Sequence, residues 1–168
     1  TSIKTIKWTS HNYNNYEYIE QIKPLDNLPI NLKTLDINNY QFQINKLFLP
    51  ESLEILKLYC KNCFQLDNLP INLKYLVIRI INLKYSNLDN LPNIQTLNIY
   101  TDINFTMDSL PNSLETLMIN GFYNNELSNL PKFLKKLYLP HQYNFELKNF
   151  PPSLETLNIP LNYKFFSA

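Results

Sequence analysis

Aliphatic residues recur along the chain at fixed offsets from a Leu-Pro or Phe-Pro step. That step ends at Pro29, Pro50, Pro70, Pro92, Pro111, Pro131 and Pro151, at intervals of 21, 20, 22, 19, 20 and 20 residues. After each proline come three aliphatic columns. The first holds Leu32, Leu53, Leu73, Ile94, Leu114, Leu134 and Leu154; the second Leu35, Leu56, Leu76, Leu97, Leu117, Leu137 and Leu157; the third Ile37, Leu58, Ile78, Ile99, Ile119, Leu139 and Ile159. The last two columns lie two residues apart, the period of a strand with one buried face. The spacing therefore predicts strands over 34–38, 55–59, 75–79, 96–100, 116–120, 136–140 and 156–160. Strands 20 residues apart are too distant for hairpins, whereas one turn of a coil returns each beside its predecessor in parallel, with the leucines stacked behind the sheet. The fourth copy drops a residue between Pro92 and Ile94, which predicts an irregular coil.

The return half of each coil alternates more loosely, as in Phe64-x-Leu66, Phe105-x-Met107 and Phe145-x-Leu147, with Ile44 in the second copy. These side chains are expected to face inward. Twenty residues per coil, with proline imposing extended backbone, leave room only for extended or single-turn helical segments on this convex side. Asn27, Asn68, Asn90, Asn129 and Asn149 recur two residues before the proline and read as buried amides that satisfy neighbouring backbone groups. The single glycine, Gly121, leaves Asn38-Asn39 and Asn124-Asn125 to supply left-handed turns. Terminal coils need caps. Ile3-x-x-Ile6-x-Trp8 predicts an eighth strand, covered by the stretch from His11 to Tyr18, and Phe165 is expected to point inward in a last partial coil. The organisation is thus an N-terminal cap with a partial repeat over 1–24, seven repeats over 25–159, and a cap or cut repeat over 160–168.

Composition narrows the function. Hydrophobic residues make up 45% and charged residues 17%, with a net charge of +1. No polyanion-binding field follows, so nucleic acid is not an expected partner. Apolar runs fall far short of the ~20 residues of a membrane span, so no membrane contact is expected. The opening Thr1-Ser2-Ile3-Lys4 lacks an initiator Met and a charged-then-apolar leader, which suggests a piece of a longer cytoplasmic protein. Cys60 and Cys63 form one C-x-x-C without a histidine at ligand spacing, and read as ordinary thiols. Glycine-rich phosphate loops, nucleophile elbows and paired-carboxylate motifs are absent, so neither an enzyme nor a cofactor is expected.

Residues between the inward strand positions face the concave surface. Its middle gathers Tyr59, Tyr75, Val77, Arg79, Tyr100, Met118 and Tyr138, the aromatic, apolar and Arg mixture enriched in protein-recognition hot spots. The same residue types are also good strand formers. Beside them runs Lys33, Glu54, Lys74, Gln95, Glu115, Lys135 and Glu155, whose alternating signs predict solvated cross-strand pairs. The expected role is a monomeric protein-protein interaction module. A glycan or peptide binder using the tyrosines, or a structural surface repeat, is the alternative.

Pro111-Asn112-Ser113-Leu114-Glu115-Thr116-Leu117-Met118-Ile119 and Pro151-Pro152-Ser153-Leu154-Glu155-Thr156-Leu157-Asn158-Ile159 resemble the FNIP family of leucine-rich-like repeats, roughly L-P-x-S-L-x-x-L-x-L. The resemblance runs from about Leu25 to Ile159, although Tyr143-Asn144-Phe145 replaces the family's Phe-Asn element. It implies a leucine-rich-repeat-like solenoid of the kind abundant in amoebae and giant viruses. It also implies a substrate-recognition or ubiquitin-ligase adaptor role, in the host cytoplasm if the protein is viral. The spacing is similar, too, to the short leucine-rich repeats of bacterial effectors that recognise host proteins.

Overall fold

The computed structural model describes residues 2–9, 27–38, 48–59, 68–80 and 88–165. Eight strands lie among them: β1 (Thr5–Thr9), β2 (Thr34–Asn38), β3 (Ile55–Leu58), β4 (Tyr75–Ile80), β5 (Thr96–Thr101), β6 (Thr116–Gly121), β7 (Lys136–Tyr138) and β8 (Thr156–Asn158). They form one sheet in chain order, every neighbouring pair parallel. Registers follow the sequence columns without slippage, Leu35 opposite Leu56, Leu56 opposite Leu76, and so on to Leu137 opposite Leu157. The chain is therefore a leucine-rich-repeat-like parallel solenoid. The expected eighth strand is present as β1, with Thr5 opposite Thr34.

One backbone motif repeats from coil to coil. The carbonyl of Lys4 accepts the N–H groups of both Lys33 and Thr34, that of Lys33 those of Glu54 and Ile55, and that of Glu54 those of Lys74 and Tyr75. The series continues to Lys135, which accepts from Glu155 and Thr156. Before each strand the proline carbonyl closes a turn onto the N–H three residues on, as from Leu53 to Pro50 at 3.0 Å. In the fourth coil the missing residue tightens this to a three-residue turn, with Ile94 donating to Pro92 at 2.6 Å. The Ser two residues after the proline ties coils together: the hydroxyls of Ser52, Ser113 and Ser153 donate to the carbonyls of Leu32, Ile94 and Leu134 at 2.8, 2.9 and 2.8 Å.

The three aliphatic columns form the core. Leu32, Leu53, Leu73, Ile94, Leu114 and Leu134 are buried, as are Leu35 through Leu137 in the second column, while Leu154 and Leu157 in the last coil pack against the cluster partly buried. Behind the sheet the return path differs from expectation. It contains no helix among the described residues, only turns and extended backbone, so the single-turn helical option is corrected. Phe105, Met107 and Leu147 point inward as anticipated, but Phe145 does not. The chain bends at Phe145 and turns its ring outward, and the inward place is taken by Tyr143. Tyr163 likewise takes the inward place expected for Phe165, whose ring packs edge-on against it at 5.7 Å.

Tyr123, Tyr143 and Tyr163 thus build an interior ladder one coil apart, with ring centroids 6.4 and 6.2 Å apart, capped by Phe105 at 5.6 Å. The Tyr163 hydroxyl donates to the Phe145 carbonyl and accepts the Leu147 N–H, both at 2.9 Å. The Tyr143 hydroxyl is buried without a well-formed partner among the described residues. Burial pushes the phenols of Tyr123, Tyr143 and Tyr163 upward.

A second ladder runs beside it. The side-chain carbonyl of Asn104 accepts the backbone N–H of Asn124 at 2.6 Å, and that of Asn124 accepts the N–H of Asn144 at 2.8 Å. Asparagine therefore does satisfy neighbouring backbone, but not in the column before the proline. Asn27, Asn68, Asn90, Asn129 and Asn149 are all exposed. Three of them hold the backbone left-handed instead, at φ 71°, 65° and 56° for Asn27, Asn68 and Asn149. Asn is the non-glycine residue that best tolerates this region. Conversely, Asn38 lies in β2, and Asn124 and Asn125 are not left-handed. Cys60, Cys63, His11, the stretch to Tyr18, Asn39, Ile44, Phe64 and Leu66 lie outside the described residues. Among the described residues, no helix is long and apolar enough to cross a membrane.

Candidate functional site

The parallel register converts the outward strand positions into a grid. On β4 stand Tyr75, Val77 and Arg79; opposite them are Ile55 and Lys57 on β3, and Thr96, Asn98 and Tyr100 on β5. Across β5 follow Thr116, Met118 and Asn120 on β6, and then Lys136 and Tyr138 on β7. Tyr59, just after β3, is anchored by its N–H to the Ile37 carbonyl at 2.9 Å. The residues proposed from sequence, Tyr59, Tyr75, Val77, Arg79, Tyr100, Met118 and Tyr138, thus share one face, densest between β3 and β6.

Within the grid the side chains are organised rather than merely adjacent. Tyr59 and Tyr100 sit two coils apart, a separation of about 10 Å along the sheet. Their rings nonetheless approach to 5.5 Å at 59°, so they lean toward each other over β4. Val77 is 1% exposed although it faces away from the leucine core and belongs to no part of it. It is therefore sealed from outside by neighbouring side chains and forms the floor of the patch, not a contact residue. Tyr100 is 37% exposed and offers its ring. Burial, and then the nearby Tyr100 and Asp36, push the Tyr59 phenol from 10.0 up to about 12, so its hydroxyl stays protonated.

The charges that flank Tyr59 and Tyr100 are paired internally, whereas Lys136 on β7 is exposed. Arg79 Nη2 meets Asp102 Oδ2 at 2.7 Å, and Lys57 Nζ lies 3.8 Å from Asp36 Oδ2 and 5.9 Å from the centre of the Tyr75 ring. The flanking Lys and Glu column forms the anticipated pairs, Lys33 and Lys74 with Glu54 at 2.6 and 3.3 Å, and Lys135 with Glu115 at 3.0 Å. Hydrogen bonds from Lys33 and then Lys74 hold the Glu54 carboxyl below its usual value. Among the described residues, no group of three His, Cys, Asp or Glu side chains could hold a metal ion.

Sequence reasoning passed over two residues of this face. Asn120 Nδ2 donates to Asn98 Oδ1 at 2.8 Å and to the Ile99 carbonyl at 3.3 Å. The signal available in the sequence is two amides 22 residues apart at outward positions of neighbouring strands, both in the concave rows though neither is aromatic or Arg. No family model matches the sequence, and no curated protein does. Among solved structures, the chain is similar to one described as "The crystal structure of CroV588 a novel circular LRR protein structure". Identity is 21% over 81% of this chain and the TM-score 0.43; the match spans 28% of that larger chain.

Proposed function

We propose that this chain is a protein-interaction module whose binding face is the outer side of the sheet between β3 and β6. Solenoids commonly present such extended surfaces to partners. The observation that carries the reading is the packed Tyr59–Tyr100 pair beside a sealed Val77, flanked by the paired charges of Lys57 and Arg79. Rigid aromatic groups over a dry floor offer large contact area at little entropic cost, which is the composition of an interface hot spot. In this reading the chain is a binder and not an enzyme. The FNIP-like repeat spacing extends the proposal to a substrate-recognition or adaptor part, in which case ubiquitin-ligase components co-purify with it.

The test is a comparison of Tyr75→Ala, Arg79→Ala and Tyr100→Ala with the parent against a partner identified by cross-linking. At least one should weaken binding by ~1 kcal/mol or more while the unfolding midpoint moves little. Lys148→Ala, whose side chain pairs with Glu146 at 3.2 Å on the exposed return path, serves as the control. Undiminished binding by all three face variants would remove this surface from consideration.

A further inference from the structure

We infer that the occupant of this face is an extended, uncharged peptide segment, read through the main-chain N–H and C=O of one of its residues by Asn98 and Asn120. The inference rests on the outer face being the binding face, and it names what that face takes. In the Asn98–Asn120 pair, Asn120 spends its amide N–H groups on Asn98 Oδ1 and on the Ile99 carbonyl. That leaves the Asn98 amide N–H groups and Asn120 Oδ1 with no partner among the described residues. One donor and one acceptor are thus held side by side, each oriented by the bond between the two amides. An extended chain presents the N–H and C=O of a single residue on the same side, the same complement in reverse.

The surroundings set the remaining chemistry. Tyr100 lies directly opposite Asn120 in the register and two residues from Asn98 on the same face. Its exposed ring is a platform for an apolar side chain or a proline beside the amide contact. Val77, opposite Asn98, is sealed, so that side chain must lie flat on the tyrosine and cannot insert. Lys57 and Arg79 are engaged by Asp36 and Asp102, and the exposed Lys136 stands two strands from Asn98 on β7, so a charge in the peptide core beside Asn98 and Tyr100 would be desolvated with no adjacent counter-ion to meet it. The same pairing disfavours a sugar, because the carboxylates that would grip neighbouring hydroxyls are the two already taken.

The probe is a phage-displayed library of random decapeptides selected on the full chain, followed by fluorescence anisotropy of synthetic copies. Uncharged cores should be enriched. Asn98→Ala combined with Asn120→Ala, or N-methylation of one peptide nitrogen, should each weaken binding by about tenfold or more, the equivalent of one or two hydrogen bonds. Should the double variant fold poorly, Asn98→Ala alone serves, because it leaves the Asn120 bond to Ile99 in place. Equal binding by the Asn variants, charged cores, or a library that enriches nothing would each overturn the inference. Loss of peptide binding in Tyr100→Ala with none in the Asn variants would sink this inference while sparing the binding face. No effect from Tyr75→Ala, Arg79→Ala or Tyr100→Ala on a selected peptide would sink the face itself.

Discussion

Replacing Gly121 by Ala tests the sheet at its most constrained backbone position. Gly121 ends β6 opposite Thr101 at φ +92°, and a Cβ built there would stand 2.0 Å from the Thr101 carbonyl oxygen. Real Cβ contacts do not fall under 3.0 Å, so β5 and β6 must part locally by about 1 Å, the difference of the two distances. The positive φ costs an L-residue about 1 to 2 kcal/mol. The separation also threatens the bond from Phe122 N–H to Thr101 O at 2.8 Å, worth about 0.5 to 1.5 kcal/mol. Together these give a loss of about 1.5 to 3.5 kcal/mol, seen as a fall of about 3 to 14 °C in melting temperature or a lower urea midpoint. Gly121→Asn separates the two causes. Asn relieves the φ penalty, as at residues 27, 68 and 149, but carries the same Cβ. An Asn variant as stable as the parent would show that the steric reasoning is wrong, and an Ala variant within about 0.5 kcal/mol would refute both causes.

Asn68→Gly should be neutral, whereas Asn68→Ala should lose about 1 kcal/mol in urea titrations, because the position demands φ 65° and its amide is exposed. Equal loss in both would revive a role for the amide itself. Tyr163→Phe removes two hydrogen bonds and should cost about 1 to 3 kcal/mol, while Tyr143→Phe removes a buried hydroxyl with only a poorly formed contact to the Leu127 backbone and should cost clearly less. The reverse order in thermal melts would contradict the ladder geometry. Stability should decline as pH rises above 10.0, since Tyr59, Tyr123, Tyr143 and Tyr163 hold their protons more tightly when folded. The folded state then binds more protons than the unfolded one, so the contribution is complete below the unfolded pKa and lost above it. Tyrosinate absorbance rising in full near 10, without unfolding, would refute this.

The strand side of the solenoid was legible because its signal is doubly redundant: period-two alternation within each copy and seven copies in register. Leu76 could be placed in the core from Leu35, Leu56 and Leu97 alone. The return side lacks that redundancy. Tyr143, Phe145 and Leu147 alternate perfectly, yet a bend at the middle residue sends Phe145 outward, a detail that periodicity cannot carry. The recurring Asn before the proline was visible as a column, but amide chemistry and left-handed backbone are competing reasons for one residue type, and burial decides between them. On the candidate face, sequence order identified which residues share a side. That Val77 would be covered, and that Tyr59 would reach over a whole strand to Tyr100, depends on side-chain lean across coils.

The ladders also have a direction. In the asparagine ladder the donor is the later residue, Asn124 bonding back to Asn104 and Asn144 back to Asn124, and the serine hydroxyls reach back in the same sense. A chain emerging from the ribosome therefore meets each donor's acceptor already made, so each coil templates its successor. Within these side-chain ladders, loss of coils from the C-terminal side strands only acceptors, which tolerate lacking a partner better than N–H groups do. Removing coils from the N-terminal side strands the ladder donors instead, whereas the sheet itself loses donors and acceptors at either end, as the Leu139 N–H bonded forward to the Asn158 carbonyl shows.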